Sequence, residues 1–382
     1  MHIFITGTRG IPALYGGFET FAQELSRRLV EKGHTVTVCN PSSHPYRGTS
    51  WEGVEILRRP WPAFPGGVLW YDRLCMREAY RRRPAVILNC GYGNAVFIRK
   101  AHPVPVVTLT DGLEWQRAGW SAPARRWLHK MERKAAERSR LLVSDHPEIA
   151  RHYREQYGKD TPVIPYGAEI PTALTLPDGR TPGDLLHEYL QQQQISFSDG
   201  PFGSLTAGNY FLTVGRFVPE NNLSMILEGY VRSGIPSPLI LVGNAGNRFG
   251  RQLQKKYGPE QNILFTGPVY DKPLLDLLRH HARGYLHGHS AGGTNPALLE
   301  AMAAGSLIAA HDNPFNRYVL GEGSRFFGTA EALSRLLAKW EDYRKARREI
   351  TQEYLRRIRE EYDWDRITDA WEEVFFRDLR SH

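Results

Sequence analysis

The sequence predicts an α/β chain made of two doubly wound, Rossmann-like domains, and three observations carry that expectation. Apolar runs of a few residues alternate with longer amphipathic stretches, the order in which parallel strands are joined by helical crossovers. Glycine or a polar residue follows most of those runs, at the strand ends where open α/β sheets gather ligand groups. The chain has 382 residues, enough for two domains with separate cores. Its 41% hydrophobic and 24% charged content is that of a globular protein.

The first domain is expected over residues 1–170. Ile3–Thr6 reads as a buried strand, TGTRGIPALYGG as a turn, and Phe18–Glu31 as a helix with Phe21, Leu25 and Leu29 on its apolar face. Gly33 ends that helix and Thr35–Cys39 is a second strand. Gly7, Gly10, Gly16 and Gly17 form neither a Walker A loop nor a clean GxGxxG; they either shape the turn or let amides approach an anion. Strands follow at Val54–Leu57, Ala85–Asn89 and Pro105–Leu109, with a helix at Asp72–Arg82. Asp111, Gly112 and Glu114 come directly after the last of these strands, which places them near the glycine loop. A carboxylate there also serves as a helix cap or a solvated side chain. Ala122–Arg140 is a helix dense in Arg125, Arg126, Lys130, Arg133, Lys134 and Arg138, either a solvated face or a docking face for anionic lipid headgroups. Strand Leu141–Ser144, helix Pro147–Tyr157 and strand Pro162–Tyr166 complete the domain.

Residues 171–208, with Pro171, Pro177, Pro182 and the Gln191–Gln194 run, read as a linker with a partly helical insert. The second domain is expected over 209–360. Strand Tyr210–Val214 leads to Arg216 and Asn221, strand Pro238–Val242 to Gly243 and Asn244, and strand Ile263–Phe265 to Val269 and Tyr270. Helices are expected at Leu223–Ser233 and Lys272–Arg283, and a strand at Ser306–Ala310. Between them lies GYLHGHSAGGTNPALLEAMAAG, Gly284–Gly305. Asn295 suits a helix N-cap and Pro296 the first helical position. Gly292, Gly293 and Thr294 then present free amides at a helix N-terminus, a setting for a diphosphate, and Glu300 sits about one turn inside.

Charge and composition narrow the partners. A net charge of +8 favours an acidic partner. No nucleic-acid reader motif is present, so a phosphate-bearing substrate or an anionic membrane surface is favoured over nucleic acid. Cys39, Cys75 and Cys90 fit no metal spacing and suit a reducing compartment. The opening apolar run, His2–Ile5, is too short for a signal peptide, so a cytoplasmic protein is expected, peripheral at most on the membrane's inner face.

The motif order GIPALYGGFET, GRFxPENN, LVGN, FTGxVYD and HGHSxGGTNPALLEAMAAG resembles the GT-B glycosyltransferases of the family-4 type. It is most similar to the bacterial rhamnosyltransferases of surface-polysaccharide assembly. The resemblance covers nearly the whole chain outside 172–208 and implies two Rossmann-like domains facing a central cleft. It also implies a last helix (361–382) crossing back to the first domain. Arg216 would meet the diphosphate as leaving-group charge develops, Gly293, Thr294 and Asn295 the phosphate and sugar, and Glu300 the ribose. Val269 and Tyr270 would lie along the base, Gly16 and Gly17 would close over the phosphates, and Asp111 would stand near the reacting carbon where many relatives carry histidine. The implied reaction transfers a sugar with retention, without metal or other cofactor, from a nucleotide-diphosphate sugar to a saccharide or lipid-linked saccharide. dTDP-L-rhamnose is the first choice of donor. Glucose or mannose from UDP or GDP donors, or a non-catalytic sugar-nucleotide binder, are the alternatives.

Two departures stand out. Relatives usually carry lysine where this chain has Asn221, and glutamate where it has Gly292. His289 either substitutes by reaching the sugar or shapes the turn. A missing glutamate, a common ligand of hexose hydroxyls, is compatible with a deoxy sugar. The one DxD, Asp363-Trp364-Asp365, follows a charged helix rather than an apolar strand, and Asp365 is expected to cap the helix Arg366–Phe376.

Overall fold

The computed structural model describes residues 1–14, 16–64, 66–116, 119–195, 203 and 205–380. The chain divides into two units. Unit 1 comprises Met1–Gly167, Gly292–Pro296 and Tyr362–His382. Unit 2 comprises Ala168–Ala291 and Ala297–Glu361.

Unit 1 begins with β1 (His2–Thr6), α1 (Gly17–Glu31), β2 (Thr35–Pro41), β3 (Ser50–Trp51) and β4 (Val54–Arg59). It continues with α2 (Gly67–Arg82), β5 (Val86–Cys90), β6 (Val106–Thr110), α3 (Ala122–Arg138), β7 (Leu141–Ser144) and α4 (Pro147–Tyr157). The strands form one sheet in the order β3-β4-β2-β1-β5-β6-β7, parallel except for the short β3. Strand order reverses between β1 and β5, which opens a crevice at their carboxyl ends. Both sheet faces are covered, so the strands read as continuous apolar runs: Ile3, Phe4, Ile5, Ile87 and Leu88 are all fully buried.

Unit 2 opens with α5 (Pro182–Gln192), whose start is fixed by a capping box between Thr181 and Asp184. Next come β8 (Phe211–Val214), α6 (Leu223–Ser233), β9 (Leu239–Val242), α7 (Arg248–Tyr257), β10 (Ile263–Gly267), α8 (Lys272–His281) and β11 (Gly284–His287). After α9 (Pro296–Ala303) follow β12 (Ile308–His311), α10 (Pro314–Leu320), β13 (Arg325–Phe327), α11 (Ala330–Ala338), α12 (Trp340–Lys345) and α13 (Arg347–Glu361). Its six strands run parallel in the order β10-β9-β8-β11-β12-β13, with the reversal between β8 and β11.

The last helix, α14 (Trp364–Arg380), belongs to unit 1. Its apolar face, Ile367, Trp371 and Phe375, is buried, and the Trp371 ring centroid lies 5.4 Å from that of Phe21 on α1. Asp365 does not cap this helix. Asp363 does, its Oδ1 accepting the amides of Asp365 and Arg366, both at 3.1 Å. Asp365 lies inside the first turn, where it accepts from Arg28 Nε at 3.2 Å. His34 and Glu372, 2.7 Å apart, add a second tie between α1's end and α14.

Other expectations are corrected as well. Residues 162–166 form no strand, because their two prolines withhold ladder donors; one bridge from Val163 to Ser144 is all that remains. α2 begins at Gly67, five residues before the sequence signal at Asp72. α7, α10, α11, α12, β3 and β13 have no counterpart among the expectations from sequence. Part of the SFSDGPFGS stretch expected in the linker lies outside the described residues. Among the described residues no helix is long and apolar enough to cross a membrane.

Candidate active site

In unit 2 the crevice between β8 and β11 collects the polar residues at the strand ends. The backbones there approach so closely that a Cβ on Gly288 would sit 2.0 Å from the Asn221 carbonyl oxygen. One on Gly243, whose φ is +156°, would sit 2.1 Å from that of Gly215. Arg216 stands exposed at the tip of β8. Asn221 fastens this turn: its Nδ2 donates to the Arg216 carbonyl at 2.7 Å, and its Oδ1 accepts from His289 Nδ1 at 2.7 Å. Asn221 therefore ties Arg216's turn to the histidine loop after β11. His289 is further held through its carbonyl, which accepts from Asn313 at 3.1 Å and Asn316 at 2.9 Å.

Glu300 lies on α9 and meets Arg279 of α8, which also donates to Asp276 at 3.2 Å. Arg279 is only 1% exposed, so its charge rests on these two carboxylates. Arg279 stands in no motif; its spacing three residues after Asp276 on a helix that buries both is the one sequence sign of a buried pair. Asn244 turns inward on its own loop, its Oδ1 accepting from Gly246 N–H at 2.8 Å. Val269 is buried, whereas the Tyr270 side chain is 60% exposed and its amide donates to Tyr189 of α5 at 3.1 Å.

In unit 1 the crevice holds the remaining candidates. Gly17 begins α1, with Gly16 extended just before it. Glu19, in the first turn of α1, accepts the Arg9 amide at 2.7 Å and so closes the glycine loop back onto the helix. Asp111 follows β6, its Oδ2 accepting from Tyr166 at 3.3 Å. Gly112 has φ +134°, and a Cβ on it would lie 2.6 Å from the Gly292 Cα. Gly292 itself has φ +108°. A left-handed turn at such close quarters suits a glycine at 292.

Two amides of the Gly292–Pro296 segment are engaged, by the Asp111 carbonyl and the Asp145 carboxylate. Gly293 N–H donates to the Asp111 carbonyl at 3.3 Å. Thr294 N–H donates to Asp145 Oδ2, and Thr294 Oγ1 to the Asp145 carbonyl, both at 2.7 Å. The free amides expected from sequence at Gly293 and Thr294 are therefore occupied. Asp145 is fully buried and its Oδ1 has no partner among the described residues. Burial, with the nearby Asp111 charge, holds its carboxyl well above the usual carboxylate range. Asp145 stands in none of the sequence motifs, although it follows β7 as Asp111 follows β6. Among the described residues no three His, Cys, Asp or Glu side chains converge as metal ligands would.

Comparison with known proteins joins these observations. Residues 198–357 match the family model for glycosyl transferases group 1, and residues 1–169 match a domain of unknown function (DUF1972). No curated protein sequence matches the chain. Among solved structures, sucrose-phosphate synthase from Thermosynechococcus elongatus aligns with TM-score 0.77 at 14% identity, over 100% of this chain and 99% of that one. HepE of Anabaena in complex with UDP-glucose aligns with TM-score 0.71 at 15% identity, over 98% of each chain. The trehalose 6-phosphate synthase of Burkholderia multivorans aligns with TM-score 0.66 at 13% identity, over 100% of this chain and 98% of that one. The chain thus has the fold of GT-B glycosyltransferases, and its residues 198–357 match a glycosyltransferase group 1 domain.

Proposed function

We propose that this chain transfers a sugar from a nucleotide-diphosphate donor to a saccharide acceptor, with dTDP-L-rhamnose as first choice of donor and retention of anomeric configuration. The observation that carries the reading is the unit 2 crevice, where Arg216 stands at a strand tip whose turn is anchored by Asn221 and His289. Breaking the bond between the anomeric carbon and the diphosphate develops negative charge on the leaving oxygen. A guanidinium on an anchored turn stands where it can stabilise that charge. The acceptor hydroxyl oxygen forms the new bond to the anomeric carbon, and its proton passes to the departing diphosphate oxygen. Glu300, oriented by Arg279, is suited to accept hydrogen bonds from ribose hydroxyls. Arg216 supplies charge in this reading; no resident metal or other cofactor is part of it.

The bound UDP-glucose of the HepE complex supports a nucleotide-sugar donor here. With glycine at 292 no carboxylate from that position meets a hexose hydroxyl, which supports a deoxy sugar over glucose or mannose. The proposed acceptor is lipid-linked, presented at an anionic inner membrane face that the basic α3 would meet from the cytoplasmic side.

Thermal shift across UDP-, GDP-, ADP- and dTDP-sugars, followed by nucleoside diphosphate release with acceptor, tests the reading. The donor should stabilise the protein and be turned over only with acceptor. Arg216→Ala should cut turnover at least a hundredfold, the loss of one preorganised charge contact, while the circular dichroism spectrum stays that of wild type. Unchanged turnover in that variant would sink the assignment.

A further inference from the structure

The unit 2 crevice contains a second histidine that no contact within the fold accounts for. His287 is the last residue of β11, beside the reversal of strand order between β8 and β11. It is 4% exposed, yet its Nε2 has no hydrogen-bond partner among the described residues. Buried polar side-chain atoms are in large majority hydrogen-bonded, and one left without a partner costs stability. Burial, with His311 nearby, pushes the imidazole down to about 3, so the ring is neutral at physiological pH.

The surrounding polar groups are committed elsewhere. Residues two apart on a strand share a face, so Tyr285 lies beside His287, with ring centroids 6.1 Å apart and planes 22° apart. The Tyr285 hydroxyl donates to the Val214 carbonyl at 3.3 Å. The ring of His289 has its centroid 6.2 Å from that of His287, and its Nδ1 donates to Asn221. His311 Nδ1 accepts from Asn313 at 3.2 Å. His287 thus ends its strand two residues before the histidine that Asn221 joins to Arg216's turn, among groups that have already paired.

Two groups of a sugar nucleotide can meet a histidine, a phosphate oxygen and a hydroxyl. A phosphate oxygen is anionic and favours a cation. Arg216 supplies one in the transfer reading, whereas His287 is held neutral. A sugar hydroxyl is uncharged and both donates and accepts, so it satisfies Nε2 in either tautomer. We infer that His287 is a binding residue for a hydroxyl of the transferred sugar, its Nε2 filled when the donor is bound. The inference rests on the transfer reading for the identity of the donor. It adds a residue that tells the sugar nucleotide from the bare nucleotide.

Titration calorimetry on the full chain compares dTDP with dTDP-L-rhamnose and UDP with UDP-glucose. The readout is the dissociation constant of each sugar nucleotide relative to that of its bare nucleotide. His287→Leu should raise this ratio about fivefold or more, the loss of one hydrogen bond, with dTDP and UDP binding unchanged. His287→Gln, which keeps an amide near the place of Nε2, should bring the ratio back toward wild type. Without ligand, His287→Leu should melt no lower than wild type, because it removes an unpaired buried polar group. An unchanged ratio in His287→Leu would overturn the inference. So would an equal loss of dTDP or UDP binding, which would put the imidazole at the phosphates or the nucleoside. A lower melting temperature in His287→Leu would reveal an internal partner and overturn it too. If wild type binds the bare nucleotides but neither sugar nucleotide, this inference falls and the nucleotide site stands. If it binds none of the four, the transfer reading falls and takes the inference with it.

Discussion

Asp72 shows how one buried side chain can shape the pH response of unit 1. It lies on α2 beside Tyr71, 8% exposed, and burial raises its carboxyl to about 7 against the opposing pull of Arg9. A carboxyl raised on folding makes the folded state bind more protons than the unfolded one. Stability therefore falls as pH rises from the unfolded value near 4 to the folded value near 7, by about 1.4 kcal/mol per unit at most. Asp72→Asn should flatten that decline and raise the urea midpoint at pH 8, while changing little below pH 4. A midpoint that still falls as steeply between pH 4 and 7 would assign the slope to another group. Residues of this kind were the least legible from sequence. Arg216, Asn221 and Glu300 stood in motifs, whereas Asp145 meets Thr294 across 149 positions and Arg279 meets Glu300 across 21. Those pairings exist only once the chain is folded, so no local spacing announces them.

Elements were more readable, because periodicity is local. Except for the short β3 and β13, which the sequence does not signal, the strands fall within a few residues of their expected places, and α4 and α6 match theirs end to end. α7 escaped because its sequence, RFGRQLQKKY, buries only Gly250, Leu253 and Tyr257, too narrow a stripe to stand out. α3 was anticipated as a basic helix, and its fold explains which of its residues face outward. Met131, Glu132, Ala135 and Ala136 are buried, with Glu132 accepting from Trp115 at 2.6 Å, Tyr157 at 2.7 Å and His152 at 2.8 Å. Arg125, Arg126, Lys130 and Trp127 are left exposed on the other side. Each basic residue near an anionic bilayer contributes about 1 kcal/mol. Reversing Arg125, Arg126 and Lys130 to Glu should therefore weaken binding to phosphatidylserine vesicles by about a hundredfold or more, with the unfolding midpoint unchanged. Co-sedimentation equal to wild type would remove α3 as a membrane-facing element.

On the scale of the whole molecule, two α/β units and a returning last helix could be read from the order of motifs, but strand order and the exact interleaving of the chain could not. Unit 1 is not a continuous stretch: it is finished by Gly292–Pro296 and by Tyr362–His382. The last of these pieces supplies a large share of its core. Trp371 and Phe375 are fully buried, Trp364 packs near Phe21, and Gly167 fits so tightly that a Cβ there would lie 2.6 Å from the Trp364 ring. Burying two such aromatics is worth about 3 kcal/mol or more each, a large part of the 5–15 kcal/mol that holds a typical domain together. A fragment of residues 1–167 should therefore be soluble only poorly, bind a hydrophobic dye and unfold without a sharp transition. The same fragment joined through a flexible linker to residues 362–380 should recover a cooperative melt, and Trp371→Ala in that fusion should take most of the gain away. A fragment 1–167 that melts cooperatively without the helix would show that unit 1 closes its core unaided, and that α14 is an attachment to it and not a part of it.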